Sequence, residues 1–289
     1  MDRHAQGVLL ITLSAIAFSS AGFFTRLIQL DAWTMLFWRG WFAGLTILCV
    51  IVVQERGRTM AAIRAVGRPG LVVALCSTAA TMLYINALRH TSVADVAVIF
   101  AVVPFLTAGL GWLWFGVKEA WTTLTASLVA VVGVSIMFGG AVIEGHWIGD
   151  VLAIGMTVCV AVMTLIIRQQ QHTPMLPATC LSALLCPLVV WPLTSREAPG
   201  IADMFDLFLF GTIQFGLGLV LLTLGSRLKS ATENALITTL EIPLAVVWVW
   251  LCFGEAPSGT SLEGGIIVLA AVAAHVWHGN RASLASPAT

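Results

Sequence analysis

Ten long apolar stretches divide the chain, and they limit its possible folds more than any other feature. A membrane-spanning helix needs about 20 mostly apolar residues. The stretches that qualify cover about residues 7–28, 32–53, 70–88, 93–115, 121–139, 148–167, 176–194, 205–226, 232–253 and 262–279. The segments between them are too short to hold a soluble domain. The sequence therefore predicts an all-α polytopic membrane protein with ten transmembrane helices.

Composition excludes several other classes of protein. Charged residues make up only 10% of the chain, whereas a soluble domain carries about 25%. The formal net charge is zero and no basic patch is present, so we expect no nucleic-acid partner. All six cysteines lie in apolar runs without C-x-x-C spacing, which argues against a disulfide framework or a zinc site. We expect no cofactor and no metal.

The basic residues predict an orientation. The first apolar run is too long for the core of a signal peptide, so we interpret it as an uncleaved helix. With the N-terminus cytoplasmic, ten Lys and Arg residues lie on the inner side and four on the outer side. The outer four are Arg26, Arg39, Arg89 and Arg196. This bias follows the positive-inside rule, and an even number of helices puts both termini in the cytoplasm. We expect a bacterial-type inner-membrane protein.

The two halves of the chain resemble each other. A set of residues recurs 138 positions later: Ser92, Ala97, Ile99 and Phe115-Gly116 return as Ser230, Ala235, Ile237 and Phe253-Gly254. Each half has one proline between these residues, Pro104 or Pro243, and a glutamate beyond them, Glu119 or Glu255. Arg26 maps onto Arg168 at an offset of 142.

Five helices per half make the repeats inverted, because the first helix runs outward and the sixth runs inward. We predict a first repeat over residues 1–142 and a second, inverted repeat over residues 143–289. Such repeats, with interrupted hydrophobic segments at matching positions, are typical of secondary transporters whose site lies between the repeats.

Three stretches also carry a resemblance to a known family. They are Phe37-Trp38-Arg39, the segment from Tyr84 to Glu119, and Leu240-Glu241-Ile242-Pro243 followed by Phe253-Gly254-Glu255. On these stretches the chain resembles the drug/metabolite transporter superfamily, in particular the EamA-type ten-helix exporters, among them the aromatic amino acid exporters. The resemblance implies two inverted five-helix repeats around a central cavity. It also implies alternating access without ATP and export of small metabolites, amino acids prominent among them. The seventh helix departs from a strict repeat because it lacks the arginine of the second.

Arg39 is the first candidate for binding substrate. It lies about seven residues inside the second predicted helix, roughly 10 Å along the axis. An intramembrane charge is a functional hypothesis by default, and a guanidinium matches a substrate carboxylate in geometry. The structural alternative is a packing arginine that bonds backbone carbonyls or extends to the outer surface.

Glu241 is the second charged candidate, predicted mid-helix before Pro243. It could bind a substrate ammonium or carry a coupling proton. Alternatively, it holds the helix by a hydrogen bond or pairs with Arg39. Pro104 and Pro243 are predicted to kink their helices and to serve as hinge or gating elements.

Further candidates are polar or aromatic side chains in otherwise apolar helices: Trp38, Tyr84, Asn86, Gln214 and Thr238. The amides, the phenol and the hydroxyl would orient a zwitterion, and Trp38 would form an aromatic wall beside Arg39. Interhelical hydrogen bonding is the structural alternative for the polar groups. For Asp95, near a helix start, capping is favoured over substrate binding.

These residues favour a transporter over an enzyme. H-E-x-x-H, G-x-S-x-G and a nucleotide-binding glycine loop are missing from the sequence, and its histidines form no ligand cluster. We predict an exporter of small metabolites, with aromatic and other neutral amino acids favoured. A multidrug exporter of the same fold and an integral membrane enzyme are the alternatives. The partners expected are a small-molecule substrate and the lipid bilayer. Energy coupling and oligomeric state stay open, and a monomer is plausible.

Overall fold

The described part of the chain is helical throughout. The structure, a computed structural model, describes residues 3–55, 60, 66–116, 121–169, 175–195, 198–226, 228, 237–238 and 240–285. Its helices are α1 (Arg3–Ser19), α2 (Ala21–Leu27), α3 (Ala32–Glu55), α4 (Gly67–His90), α5 (Val93–Phe100), α6 (Val103–Phe115), α7 (Trp121–Glu144), α8 (Trp147–Gln169), α9 (Met175–Val190), α10 (Ile201–Leu209), α11 (Gly218–Ser226), α12 (Glu241–Phe253) and α13 (Gly259–Ala285). A short 3₁₀-helix covers Trp191–Leu193, and a π-helix covers Phe210–Leu217.

Eight segments of this part are long and apolar enough to cross a membrane. They are Ala5–Leu27, Ala32–Glu55, Gly67–His90, Val93–Trp114, Thr125–Ile143, Trp147–Ile167, Leu176–Leu193 and Ile201–Ser226. The last two predicted spans are represented in the described residues by shorter apolar helices, Glu241–Phe253 and Gly259–Ala271. Residues 232–236 and 239 of the ninth predicted span lie outside the described residues, so the count of ten stays a prediction. The chain is nevertheless a multi-pass helical membrane protein.

The helices of the two halves pack against each other in a regular pattern. α3 packs on α9, α5 packs on α12, and α7 packs on α13. α4 packs along α8 in the same way that α1 packs along α11. These five pairings are unchanged when the first five predicted spans are exchanged with the last five. The surfaces where the halves meet therefore run through the middle of the helix bundle.

Pro104 and Pro243 lie in the first turns of helices. The sequence had instead predicted that they kink helices from within. The span from Val93 to Phe115 is interrupted at Ala101 and Val102, and Pro104 is the second residue of α6. In the second half, α12 begins at Glu241 and Pro243 is its third residue. Proline is tolerated in a first turn because its missing N–H would have no intrahelical partner there. Glu241 is thus the first residue of a helix and not a mid-helix residue.

The repeated Phe-Gly pairs end their helices in the same way. Gly116 and Gly254 adopt left-handed conformations, with φ of 64° and 68°. Their N–H groups donate to the carbonyls of Trp112 and Trp250 at 2.9 and 3.0 Å. Glycine is the residue that adopts this conformation at least cost. The sequence repeat therefore marks the same helix end twice.

The π-helix was not predicted, since the sequence indicated one regular helix over 205–226. Its first turn lies directly against α3. A Cβ on Gly211 would come within 2.6 Å of the Cβ of Phe42 and 2.7 Å of the carbonyl oxygen of Arg39. The hydroxyl of Ser14 donates to the carbonyl of Gly218 at 2.7 Å, just beyond the π-helix. Single π-helical turns are found frequently at functional sites.

Substituting Gly211 tests this close packing. We expect Gly211→Ala to separate the π-helix from α3 and to destabilise the protein by about 1–3 kcal/mol, as overpacking does. Thermal unfolding in detergent measures the effect. Gly109→Ala in α6 is the matched control, because a Cβ there meets nothing within 4 Å. Equal melting temperatures for the two variants would contradict the packing described.

Candidate functional site

The guanidinium of Arg39 lies between two aromatic rings inside the helix bundle. Arg39 is only 4% exposed. Its Cζ lies 4.8 Å from the ring centroid of Phe210 and 4.6 Å from that of Phe215. The i to i+5 hydrogen bonding of a π-helix brings residues five apart to nearly the same side of the helix. The local backbone thus explains how both rings reach one cation, an arrangement that stabilises a desolvated guanidinium.

Arg39 has few polar partners for a buried charge. Its Nη2 donates to Oε1 of Gln214 at 3.1 Å, and the Nε2 of Gln214 donates to the carbonyl of Phe18 at 3.3 Å. The Nε of Arg39 is buried and lacks a hydrogen-bond partner among the described residues. No carboxylate of the described part lies within 4.0 Å of the guanidinium. A buried cation without a counter-ion is costly, and Arg39 can accept an anionic partner.

A small cavity of about 10 Å³ adjoins Arg39. Its polar lining comes from Thr81 of α4 and from Ser182 and Cys186 of α9. Phe215 of the π-helix also lines it. The hydroxyl of Ser182 donates to the hydroxyl of Ser77 at 2.8 Å. The cavity therefore lies between α3 and α4 of the first half and α9 and the π-helix of the second.

Tyr84 and Glu241 were also predicted to bind substrate. Tyr84 interacts electrostatically with both Arg39 and Glu241. Glu241 is half-buried, and its position at the N-terminus of α12 favours a negative charge. The ion pair between Glu241 and Arg39, which was one alternative from the sequence, does not form in the structure. Tyr84 thus interacts with both charges, which form no direct ion pair with each other.

The other residues predicted to bind substrate are Trp38, Asn86 and Thr238. Trp38 stacks on Phe42, with ring centroids 6.1 Å apart, while Phe210 and Phe215 occupy the positions beside the guanidinium. The amide of Asn86 donates to the carbonyl of Met82 one turn back in its own helix, at 2.8 Å. Thr238 lies just before α12. The structure brings together Arg39, Gln214 and Tyr84 of the predicted set.

Sequence reasoning missed the residues that complete the surroundings of Arg39. Phe210 and Phe215 are ordinary apolar residues of a membrane helix in the sequence. Thr81, Ser182 and Cys186 likewise resemble small residues that let helices pack closely. Only the spacing of five between two phenylalanines, with a glutamine between them, could have suggested a π-helix.

A second charged site joins the end of α2 to two connections between helices. Arg26 Nε donates to Glu255 Oε2 at 2.7 Å, and Nη2 donates to Oε1 at 3.1 Å. Arg26 also donates to the carbonyls of Leu88 and Thr91, and Glu255 accepts the N–H of Val93 at 3.0 Å. We call this ion pair the Arg26–Glu255 clasp. It holds three elements together at one end of the bundle. Both residues belong to the sequence repeat, but the repeat does not pair them with each other.

The clasp is expected to be insensitive to pH in the physiological range. Burial raises the pKa of Glu255, but hydrogen bonds from Arg26 and the Val93 N–H, together with the charge of Arg26, outweigh this and hold it below its usual 4.5. A carboxyl with a depressed pKa contributes stability above its unfolded pKa and loses it as pH falls through the folded value. The melting temperature lost in Glu255→Gln should therefore be constant from about pH 8 to about pH 5, because the carboxyl is ionised over this range in both the folded and the unfolded protein. A loss that already shrinks between pH 7 and pH 6 would contradict the clasp.

Long apolar helices paired across two halves, with a buried cation between them, define a multi-pass membrane transporter. The model of the EamA-like transporter family matches residues 5–139 and again residues 147–277. The chain therefore belongs to the EamA-like transporter family.

Two known proteins extend this comparison. The chain is 24% identical over 279 residues to the pseudopaline exporter CntI of Pseudomonas aeruginosa, which covers 94% of this chain and 96% of that protein. A crystal structure of another protein superposes with a TM-score of 0.67 at 15% identity, covering 98% of this chain and 99% of that one. The latter likeness concerns the fold alone.

Proposed function

We propose that this transporter exports small metabolites that carry a carboxylate, with neutral and aromatic amino acids as its preferred substrates. One observation carries the proposal: the buried guanidinium of Arg39 borders a cavity between the halves and has an Nε without a partner among the described residues. The cavity has room for about one water molecule, so the halves would have to separate before a substrate carboxylate could neutralise this charge and engage the guanidinium at two points. Thr81 would supply a hydroxyl donor nearby.

The surroundings of Arg39 favour a neutral amino acid over a more polar solute. Glu241 would offer a negative charge for a substrate ammonium, and Tyr84 interacts electrostatically with both Glu241 and Arg39. Leu36, Ala43 and Phe215 line the cavity and would supply apolar surface for a side chain. A sugar phosphate would call for several lysines or arginines, and Arg39 is the one buried arginine of the described residues.

The transport cycle that we propose is alternating access between two inverted five-helix halves, residues 1–142 and 143–289. The pairing of helices is unchanged when the halves are exchanged, which supports this arrangement. The breaks before α6 and α12 place Pro104 and Pro243 at points where a half-helix can turn, and we propose them as hinges. The Arg26–Glu255 clasp would close the outer side. Both termini would lie in the cytoplasm of a bacterial-type cell.

The direction of transport is proposed from the relative that is named an exporter. The pseudopaline exporter CntI aligns with nearly the full length of this chain. We therefore propose export from the cytoplasm across the inner membrane. The exported metabolite would differ between the two proteins. Residues of both halves surround Arg39 here, so substrate release on either side requires the halves to move relative to each other.

Uptake into proteoliposomes tests the substrate class. Purified protein would be reconstituted and the counterflow of labelled phenylalanine measured against unlabelled competitors. Phenylalanine should compete, whereas phenylalaninamide, which keeps the ammonium and ring but lacks the carboxylate, should compete about 10- to 100-fold less well, the usual value of a charge-assisted hydrogen bond. Equal competition by the amide would contradict a carboxylate site. Transport measured with a pH gradient across the same vesicles would show whether proton movement is coupled to transport.

A further inference from the structure

Two buried carboxylates lie close together at the end of the bundle that carries the clasp. Asp95 of α5 is 7% exposed and Asp150 of α8 is 0% exposed. The hydroxyl of Thr91 lies 2.8 Å from Oδ1 of Asp150 and 3.3 Å from Oδ2 of Asp95. A single hydroxyl hydrogen therefore lies between two acidic groups, and it can be donated to only one of them.

The two acids are supplied unequally with hydrogen bonds. Oδ2 of Asp95 accepts from the hydroxyl of Ser92 at 2.7 Å, and its Oδ1 accepts from the hydroxyl of Ser261. Asp150 has the Thr91 hydroxyl alone, and its Oδ2 is buried without a partner among the described residues. An ionised carboxylate with an unsatisfied oxygen is costly in such a place. The unpartnered oxygen indicates that something positive belongs there.

The charges around the cluster limit what that group can be. Arg26 bonds the carbonyl of Thr91, but its charge is shared with Glu255. His90 and His146 are exposed. The N-termini of α5, α8 and α13 meet at the cluster, and each carries about half a positive charge. These dipoles offset part of the negative charge, so one further positive charge suffices.

We propose that Asp95 and Asp150, with the hydroxyls of Thr91 and Ser261, bind one monovalent cation, Na⁺ or a proton. Calcium takes six to eight oxygen ligands and magnesium needs an octahedron. The four side chains carry six oxygens at most, and both oxygens of Asp95 already accept hydrogen bonds, so too few remain for either ion. The site lies outside the surroundings of Arg39. The inference concerns cation binding alone and does not depend on which solute is exported.

Thermal unfolding of the purified transporter tests the proposal without a transport assay. The wild type and Asp150→Asn would be compared in choline chloride, NaCl and KCl at pH 7.5, and then in choline chloride from pH 5 to pH 8. Asp203→Asn is the matched control, because Asp203 also lies in the first turn of a helix and is half-buried. Ser261→Ala keeps both carboxylates. It replaces Asp150→Asn in the comparison if Asp150→Asn does not fold.

A Na⁺ site predicts that NaCl raises the melting temperature of the wild type by about 2–4 °C over choline chloride, as about 1 kcal/mol of ligand stabilisation would. The rise should vanish in Asp150→Asn and weaken in Ser261→Ala, but persist in Asp203→Asn. A bound proton instead predicts no effect of NaCl and a wild-type dependence on pH that Asp150→Asn loses. If the wild type and Asp150→Asn respond alike to Na⁺, K⁺ and pH, the cluster only caps its helices and the proposal is wrong.

Discussion

Arg39→Gln is expected to abolish carboxylate-dependent transport while the protein stays folded. A glutamine at position 39 can still bond Gln214, but the substitution removes the only buried guanidinium of the described residues. Loss of a hydrogen bond to a charged group weakens binding by about 10- to 100-fold. Because the cation lacks a counter-ion in the described part, its removal should cost little stability and can increase it. A gain in stability combined with loss of activity is typical of a functional site.

Arg39→Lys separates charge from geometry. An ammonium keeps the positive charge but lacks the planar fork that engages both oxygens of a carboxylate. It also loses part of the stacking between Phe210 and Phe215. We expect transport to fall nearly as far as in the glutamine variant. Initial rates of phenylalanine counterflow in proteoliposomes measure the effect.

Arg68→Gln is the control for these two variants, because Arg68 is an exposed arginine near the start of α4. It should retain wild-type transport. If instead Arg39→Gln retained full transport, or lost transport only by unfolding, the guanidinium would have a packing role. The melting temperature of each variant in detergent distinguishes unfolding from loss of binding.

Breaking the Arg26–Glu255 clasp is expected to open one end of the transporter. Ala94 is 8% exposed and lines the crevice beside Glu255, so Ala94→Cys in a background without native cysteines reports access. Both partners of the clasp are about one quarter exposed. Breaking the clasp therefore removes a half-buried ion pair. We expect Glu255→Gln to speed labelling by an impermeant maleimide from the outer side about 5- to 30-fold, the range for 1–2 kcal/mol.

Coupling between the partners distinguishes a clasp from two separate effects. Arg26→Gln should also raise the labelling rate, and the double variant should change it by less than the two single effects combined, because both substitutions remove the ion pair that the two residues share. Glu263→Gln, an exposed glutamate in the first turns of α13, should leave labelling unchanged. Labelling that rises only from the cytoplasmic side would contradict the proposed orientation of the clasp.

The sequence predicts the helices of this protein well where hydropathy alone decides. Apolar runs gave the positions of most spans within a few residues. The ends at Gly116 and Gly254 were visible because a left-handed helix end requires glycine. The break before α6 was not visible, because Ala101 and Val102 are as apolar as the helix around them. A mid-span proline predicts a kink more often than a new helix start.

The residues of the candidate site were predicted singly and their arrangement was not. Arg39, Gln214 and Tyr84 stand out as polar groups in apolar helices, but Arg39 and Gln214 are separated by 175 positions in the chain. Their contact depends on the π-helix and on the close approach of Gly211 to α3. Neither feature has a hydropathy signal. The phenylalanines beside the guanidinium are indistinguishable in the sequence from residues that face lipid.

A thermodynamic cycle of ligand binding tests most directly whether Arg39 holds the carboxylate of the substrate. Isothermal titration calorimetry would measure the affinities of phenylalanine and phenylalaninamide for the wild type and for Arg39→Gln. If the guanidinium binds the carboxylate, removing either group weakens binding to the same extent, and removing both weakens it no further. Losses of affinity that simply add would show that the arginine and the carboxylate act independently, and the proposed substrate site would be wrong.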